Sequence, residues 1–133
     1  MAARPTEDPF PLARLLAVSE RLQRPFFARP VVETARECLG KILVHGRTAG
    51  RIVEVEAYLG EEDRAAHAWR GRTRRTQVLY GPAGHAYVYF IYGMYECLNF
   101  TAESEGSPGT LLVQALEPLA GLGLLRRRRG PTV

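Results

Sequence analysis

Two carboxylates stand two residues apart in a run that otherwise suits a buried β-strand, Arg51-Ile-Val-Glu-Val-Glu-Ala-Tyr-Leu-Gly60. Side chains alternate along a strand, so Ile52, Glu54, Glu56 and Tyr58 share one side while Val53, Val55 and Ala57 share the other, which reads as core. A carboxylate partly withdrawn from water must find partners or shift its pKa upward, and a general base is made that way. The plainer alternative is a half-exposed edge strand whose glutamates face solvent.

Other chemistry-bearing residues cluster downstream. Arg70, Arg72, Arg74 and Arg75 surround a glycine and a threonine in a segment too polar for a core, which reads equally well as a solvated loop and as a contact to phosphates. A second arginine block covers 126–129, and Lys41 is the single lysine. Net charge is +4 and the pI about 9.4, which points to a polyanionic partner; arginine in place of lysine favours forked contacts to phosphate oxygens. Cys38 and Cys97 stand far apart and outside any Cys-x-x-Cys pair, so the sequence indicates no metal site, disulfide framework or cofactor.

The elements that must position these residues follow from periodicity. With 46% hydrophobic and 24% charged residues in 133, one domain over 10–133 is expected behind a disordered tail over 1–9. No apolar run reaches the ~18 residues of a membrane span and the start lacks a secretory signal, so a cytoplasmic protein is expected. Helices are predicted over 11–22 and 30–39, the second ended by Gly40, with Phe26 and Phe27 as core anchors between them. A strand over 41–45 and a turn over 47–50 bring the chain back along the Glu54/Glu56 strand. An irregular stretch with a short helical piece, 61–67, leads into the arginine loop. His85-Ala-Tyr-Val-Tyr-Phe-Ile-Tyr92 is the densest β signal, and 95–101 returns from a tip built of Tyr92, Gly93 and Met94. A two-residue loop there sends Tyr89 and Asn99 to opposite faces; a three-residue loop pairs Ile91 with Tyr95, puts Tyr89 and Asn99 on one face and leaves Tyr92 projecting. A strand over 110–116 follows, and Glu117-Pro118 opens a final helix carrying Leu119, Leu122, Leu124 and Leu125 into the arginine block. The fold class is therefore α+β: a curved, mainly antiparallel sheet flanked by helices, with a protruding hairpin.

Together these segments resemble the alkyladenine (3-methyladenine) DNA glycosylase family of base-excision repair. The resemblance runs from about Phe26 to Arg129 and rests on the 51–60 run, on Ala65-Ala-His67, on Tyr87-Val-Tyr-Phe-Ile-Tyr-Gly-Met-Tyr95 with Asn99, and on Ala115-Leu-Glu-Pro118. It implies a hydrolase of N-glycosyl bonds acting on double-stranded DNA with alkylated or deaminated purines, nucleoid-associated and monomeric when complete. Independently of the resemblance, the single lysine, Lys41, lies outside these motifs, so a monofunctional enzyme that leaves an abasic site is expected. The resemblance makes Glu56 the base that activates water, and Tyr58, His67, Tyr89 and Asn99 the pocket for the flipped purine, with Asn99 crowding the exocyclic amine of guanine. It makes Tyr92 and Met94 the wedge that enters the duplex, and the arginine loop suits Arg72, Arg74 and Arg75 to the DNA backbone.

Two departures accompany the resemblance. Gln114 stands where many members carry arginine, and members continue past the final helix into strands that complete the sheet and one pocket wall. At this length the domain is expected to be incomplete at its C-terminus, the strand over 110–116 to be an open edge, and the chain to self-associate and to excise slowly. A non-catalytic DNA-binding fragment is the alternative, and a metal hydrolase using Glu54, Glu56 and His67 a distant third.

Overall fold

The computed structural model describes residues 7–130. Three helices and a five-stranded antiparallel sheet make an α+β domain, in the order α1 (Leu12–Val18), α2 (Val31–Cys38), β1 (Ile42–His45), β2 (Thr48–Tyr58), β3 (Ala86–Ile91), β4 (Tyr95–Thr101), β5 (Thr110–Ala120) and α3 (Leu122–Arg129). The strands lie side by side as β1-β2-β5-β4-β3.

Helix α2 forms because Val31, Thr34, Ala35 and Cys38 recur at helical spacing and all are buried. Glu33 in its first turn and Arg36 in its last oppose the helix dipole. Its N-terminus is held from a distance: the Val31 N–H donates to Glu103 Oε1 at 2.7 Å. Gly40, at φ +85°, ends it in the left-handed region, as expected. Val31, Ala35 and Cys38 form the main core with Leu111 and Ala102, and Phe26 and Phe27 pack against it as anchors. Burial raises the Cys38 thiol to about 11, so it behaves as a small hydrophobe.

Several boundaries differ from expectation. Helix α1 stops at Val18 rather than near Leu22, because only Leu15 of this segment is buried and Leu22 remains 39% exposed, leaving nothing for further turns to pack on. The turn between β1 and β2 is Gly46-Arg47 alone, with His45 opposite Thr48; Thr48, Ala49 and Gly50 are buried strand. Ile52 and Val53 exchange their expected roles: the register is irregular between Ile52 and Val55, Ile52 is buried and Val53 is 51% exposed.

The largest revision concerns β5. It does not give way to a helix at Glu117-Pro118 but continues to Ala120, because Leu119 and Ala120 are needed in a second core cluster with Leu15 and Ala49. Pro118 is accommodated beside the register shift at Ala49/Gly50, one of the places where a strand tolerates proline. In strand order β5 is central, but the expected open edge holds in part, because beyond Leu112 its second side has no ladder partner among the described residues. Pairing with β4 covers only Thr110 to Leu112, so the β3–β4 hairpin leaves the sheet early.

Helix α3 starts only after Gly121, whose φ of +73° no other residue could adopt there: an added Cβ would lie 2.4 Å from the Arg47 carbonyl oxygen. Asp8 accepts hydrogen bonds from the Gly121 and Leu122 N–H groups, at 2.8 and 3.0 Å. Of the tail expected over 1–9, residues 1–6 lie outside the described residues, whereas Asp8 is anchored. No helix among the described residues is long and apolar enough to cross a membrane.

Candidate functional site

The sheet has two unlike faces. On one, Val55, Ala57, Phe100 and Val113 pack with Leu111 against α2. On the other, the register aligns Glu56 of β2, Leu112 of β5, Asn99 of β4 and Tyr87 of β3 in one row, since directly opposed residues point to the same side. Tyr58 faces Thr110 one step along.

The hairpin settles the register that the sequence leaves open. Ile91 opposes Tyr95, the loop has three residues, and Tyr89 and Asn99 share the Glu56 face. Between β2 and β3 the chain runs through 3₁₀ turns at His67–Arg70 and Gln77–Tyr80. Ala68, Leu79 and Tyr80 pack with Tyr87 into a small core that carries this segment. Tyr80 donates its hydroxyl to Glu61 at 2.6 Å, and Asp63 accepts from the Leu59 and Ala65 N–H groups. Thr76 is buried within the arginine loop and bonds to Thr73 and the Gly71 carbonyl, so the loop is polar but built.

These elements bring Tyr58, Ala65, His67, Tyr87, Tyr89, Asn99 and Thr110 around a cavity of about 30 Å³. That space suits roughly one water molecule. His67 and Tyr89 already touch, with ring centroids 4.3 Å apart. A base sandwiched between two rings needs them about 7 Å apart, twice a van der Waals contact. No ring fits between His67 and Tyr89 as they stand, and a base among these side chains needs a wider cavity.

The electrostatics follow from the partners. Tyr58 donates its hydroxyl to Glu56 Oε2. That bond, then burial, then the Glu56 charge hold the Tyr58 phenol well above its ordinary ionisation range. Burial and then the Arg75 charge lower the His67 pKa, favouring the neutral ring, whose Nδ1 lies 2.8 Å from the Tyr87 hydroxyl. Burial, ahead of the neighbouring Cys97, raises the Tyr89 phenol. Asn99 is 2% exposed and donates Nδ2–H to the Tyr87 carbonyl at 3.4 Å. Glu54 sits at the irregular stretch of β2, exposed.

Of the remaining sequence candidates, all but Arg75 lie apart from this cavity. Tyr92 is 81% exposed with φ +55°, and Met94 is 66% exposed, both at the hairpin tip. Arg72 lies over the Tyr80 ring at 4.6 Å and Arg75 over the Tyr89 ring at 5.7 Å, while Arg74 is exposed on the same loop. Arg75 thus adjoins the site itself. Sequence reasoning missed Tyr87 and Thr110; Tyr87 was findable, being two residues from Tyr89 on one strand, whereas Thr110 enters through cross-strand pairing with Tyr58. Among the described residues no three His, Cys, Asp or Glu side chains converge as a metal site, so the metal-hydrolase alternative gains no support. A much larger cavity of about 710 Å³ lies between β4, β5 and α3 and contains none of the Glu56 cluster.

The sequence model of the methylpurine-DNA glycosylase (MPG) family matches residues 25–133. A protein of Clostridium acetobutylicum named "Putative 3-methyladenine DNA glycosylase" is 54% identical over 114 residues, covering 82% of this chain and 56% of the relative. Proteins of the same name from Legionella pneumophila (strain Lens) and Methanocella arvoryzae are 51% and 54% identical, covering 84% and 75% of this chain but 62% and 52% of their own lengths. The chain thus spans little more than half the length of the relatives it matches.

Proposed function

The chain belongs to the methylpurine-DNA glycosylase family, and from that premise we propose that it excises alkylated or deaminated purines from duplex DNA. A base cannot be attacked inside the stack, so the enzyme extrudes it, at a cost of a few kcal/mol that is smallest for damaged or mispaired bases. Tyr92 and Met94 fill the gap left in the duplex. The observation that favours this role for Tyr92 is its backbone: a tyrosine held at φ +55° and almost fully exposed contributes nothing to the core. Arg72, Arg74 and Arg75 engage the phosphate backbone beside the entry.

The extruded purine enters among Tyr58, His67 and Tyr89 as the cavity they line widens. Alkylated purines carry positive charge, and aromatic faces attract cations by about 0.5–2 kcal/mol. Glu56 accepts a proton from water as the water oxygen bonds to the sugar carbon, and the N-glycosidic electron pair leaves with the purine. A cationic purine departs neutral without further help, whereas a neutral one such as hypoxanthine leaves as its anion and takes its proton from water. The product is an abasic site and the reaction is monofunctional. Strand cleavage by such enzymes requires an amine nucleophile, and Lys41 precedes Ile42, which pairs with Arg51, five strand residues or about 16 Å from Glu56.

The observation that carries the reading is the row placing Glu56, tied to Tyr58, on one face with Asn99 and Tyr87. Its test is single-turnover excision. Glu56→Gln should lower the rate by at least about a hundredfold while lesion binding changes little, and Glu54→Gln should matter far less. Equal losses in the two variants would remove Glu56 from the role. The second reading, a non-catalytic DNA-binding chain, is favoured by the small cavity. Lesion-duplex binding without any release of hypoxanthine or alkyladenine would select it.

A further inference from the structure

The family resemblance uses the Tyr58 ring as a wall for the base, but the geometry gives its hydroxyl a separate task. We propose that Tyr58 is a positioning residue for the proposed glycosylase reaction: its hydroxyl pins Oε2 of Glu56 and leaves Oε1 as the atom that takes the proton from water. This rests on the reading above and adds to it an assignment of atoms.

Glu56 is exposed, and an exposed glutamate samples many rotamers about three rotatable bonds. A general base must instead stay within hydrogen-bond reach of one water oxygen, and a displacement of about 1 Å can cost on the order of a hundredfold in rate. Neither neighbouring strand supplies a holder, since Glu56 opposes Leu112 across the ladder. Tyr58 does. It stands two residues along the same strand and therefore on the same face, and its hydroxyl donates to Oε2. The ring is half-buried and lines the cavity with His67 and Tyr89, which restricts it more than the exposed Glu56. A hydrogen bond from this half-buried ring to one carboxylate oxygen restricts the Glu56 torsions and distinguishes its two oxygens. The other charged groups acting on Tyr58 are Asp63 and, on ionisation, the Tyr89 phenol; both oppose phenol ionisation, so Tyr58 stays a donor across the neutral range.

Ring and hydroxyl are separable by one substitution. With Tyr58→Phe the stacking surface remains, so lesion binding should stay within about threefold of wild type while single-turnover excision falls about ten- to a hundredfold. Tyr58→Leu should weaken binding as well. A second measurement does not depend on activity: NMR of protein carrying 13C at the tyrosine Cζ. The Tyr58 signal should remain that of a protonated phenol beyond the pH of about 10 where a free phenol ionises, and Glu56→Gln should move its titration down, with backbone amide signals checking that the fold persists. Identical Tyr58 titrations in wild type and Glu56→Gln, or full excision by Tyr58→Phe, would overturn the proposal. If the wild-type chain excises nothing, the glycosylase reading falls and this role with it. A Tyr58 titration that still shifts in Glu56→Gln would then show that the error lay in the reaction and not in the link.

Discussion

Asn99 combines near-complete burial with a polar side chain, and such a residue must be fully accommodated to be tolerated. Its Nδ2–H donates to the Tyr87 carbonyl, which fixes the amide plane beside the cavity. A rigid amide at that place can reject a purine bearing an exocyclic amine at the edge it crowds. Asn99→Ser should therefore raise release of unmodified guanine while hypoxanthine release changes little, at a stability cost of about 1–3 kcal/mol for the lost buried hydrogen bond and the space left behind. Guanine release from undamaged duplex is the measurement; no rise would show that Asn99, though it lines the cavity, does not discriminate against guanine. The position of Asn99 was legible only conditionally, because its face depended on whether the hairpin loop held two residues or three. Tyr87 was passed over for a different reason: in an aromatic-rich strand, pattern alone does not separate the tyrosine that holds His67 from those that cover a sheet. The Tyr58–Glu56 bond was equally invisible, although the alternation that puts both on one face was plain in the sequence.

Among the elements, the β3–β4 hairpin and the α3 cap show opposite degrees of legibility. The hairpin is local: its strands, tip and aromatic content follow from sixteen contiguous residues, Ala86–Thr101, and the structure agrees. Because Tyr92 is 81% exposed, Tyr92→Ser should leave thermal stability nearly unchanged. Loss of a stacking surface worth about 1–3 kcal/mol should slow excision from fully paired duplex about ten- to a hundredfold, and a bulged lesion should suffer less. Equal losses on paired and bulged substrates would make Tyr92 structural. The α3 cap is non-local, since Asp8 reaches across 113 residues to Gly121, and no window of sequence contains that contact. The same blindness misplaced the start of α3, because Leu119 reads as helical until Leu15 and Ala49 are known to await it. The two N–H groups from Leu122 and Gly121 lower the Asp8 pKa from 3.8. A carboxylate whose folded pKa is depressed contributes stability above its unfolded value and loses it as the pH falls through the folded one. Asp8→Ala should therefore lower the melting temperature by a constant amount from pH 7 to about pH 5, and the difference should close below about pH 3.8. A difference that persists undiminished at lower pH would mean that the Asp8 carboxylate is not the cap.

The molecule as a whole is asymmetric in how it covers its sheet. Helix α2 covers only part of the face bearing Val55, Ala57 and Leu111, and the second side of β5 beyond Leu112 has no ladder partner among the described residues. Next to it opens the cavity of about 710 Å³, walled by Leu43, Leu98, Val113, Leu116, Leu122 and Leu125. Val88 opposes Leu98 and Phe90 opposes Glu96, so these two, at 52% and 61% exposure, extend the apolar wall out along the hairpin. An unpaired strand edge beside an exposed apolar surface is a template for another polypeptide. Arg126 and Arg129 at its margin, with a net charge of +4 for the chain, oppose close approach of copies at low ionic strength, and salt weakens that opposition. The expected outcome is concentration-dependent self-association that grows between about 20 and 200 mM salt, because screening removes the charge term and leaves the apolar one. Leu98→Lys should suppress it, since the charge then sits in the groove, while leaving the Glu56 face intact. Light scattering across that salt range is the measurement. A chain that stays monomeric at high salt, or that associates less as salt rises, would show that arginine-mediated contacts and not this groove govern how the molecule meets others.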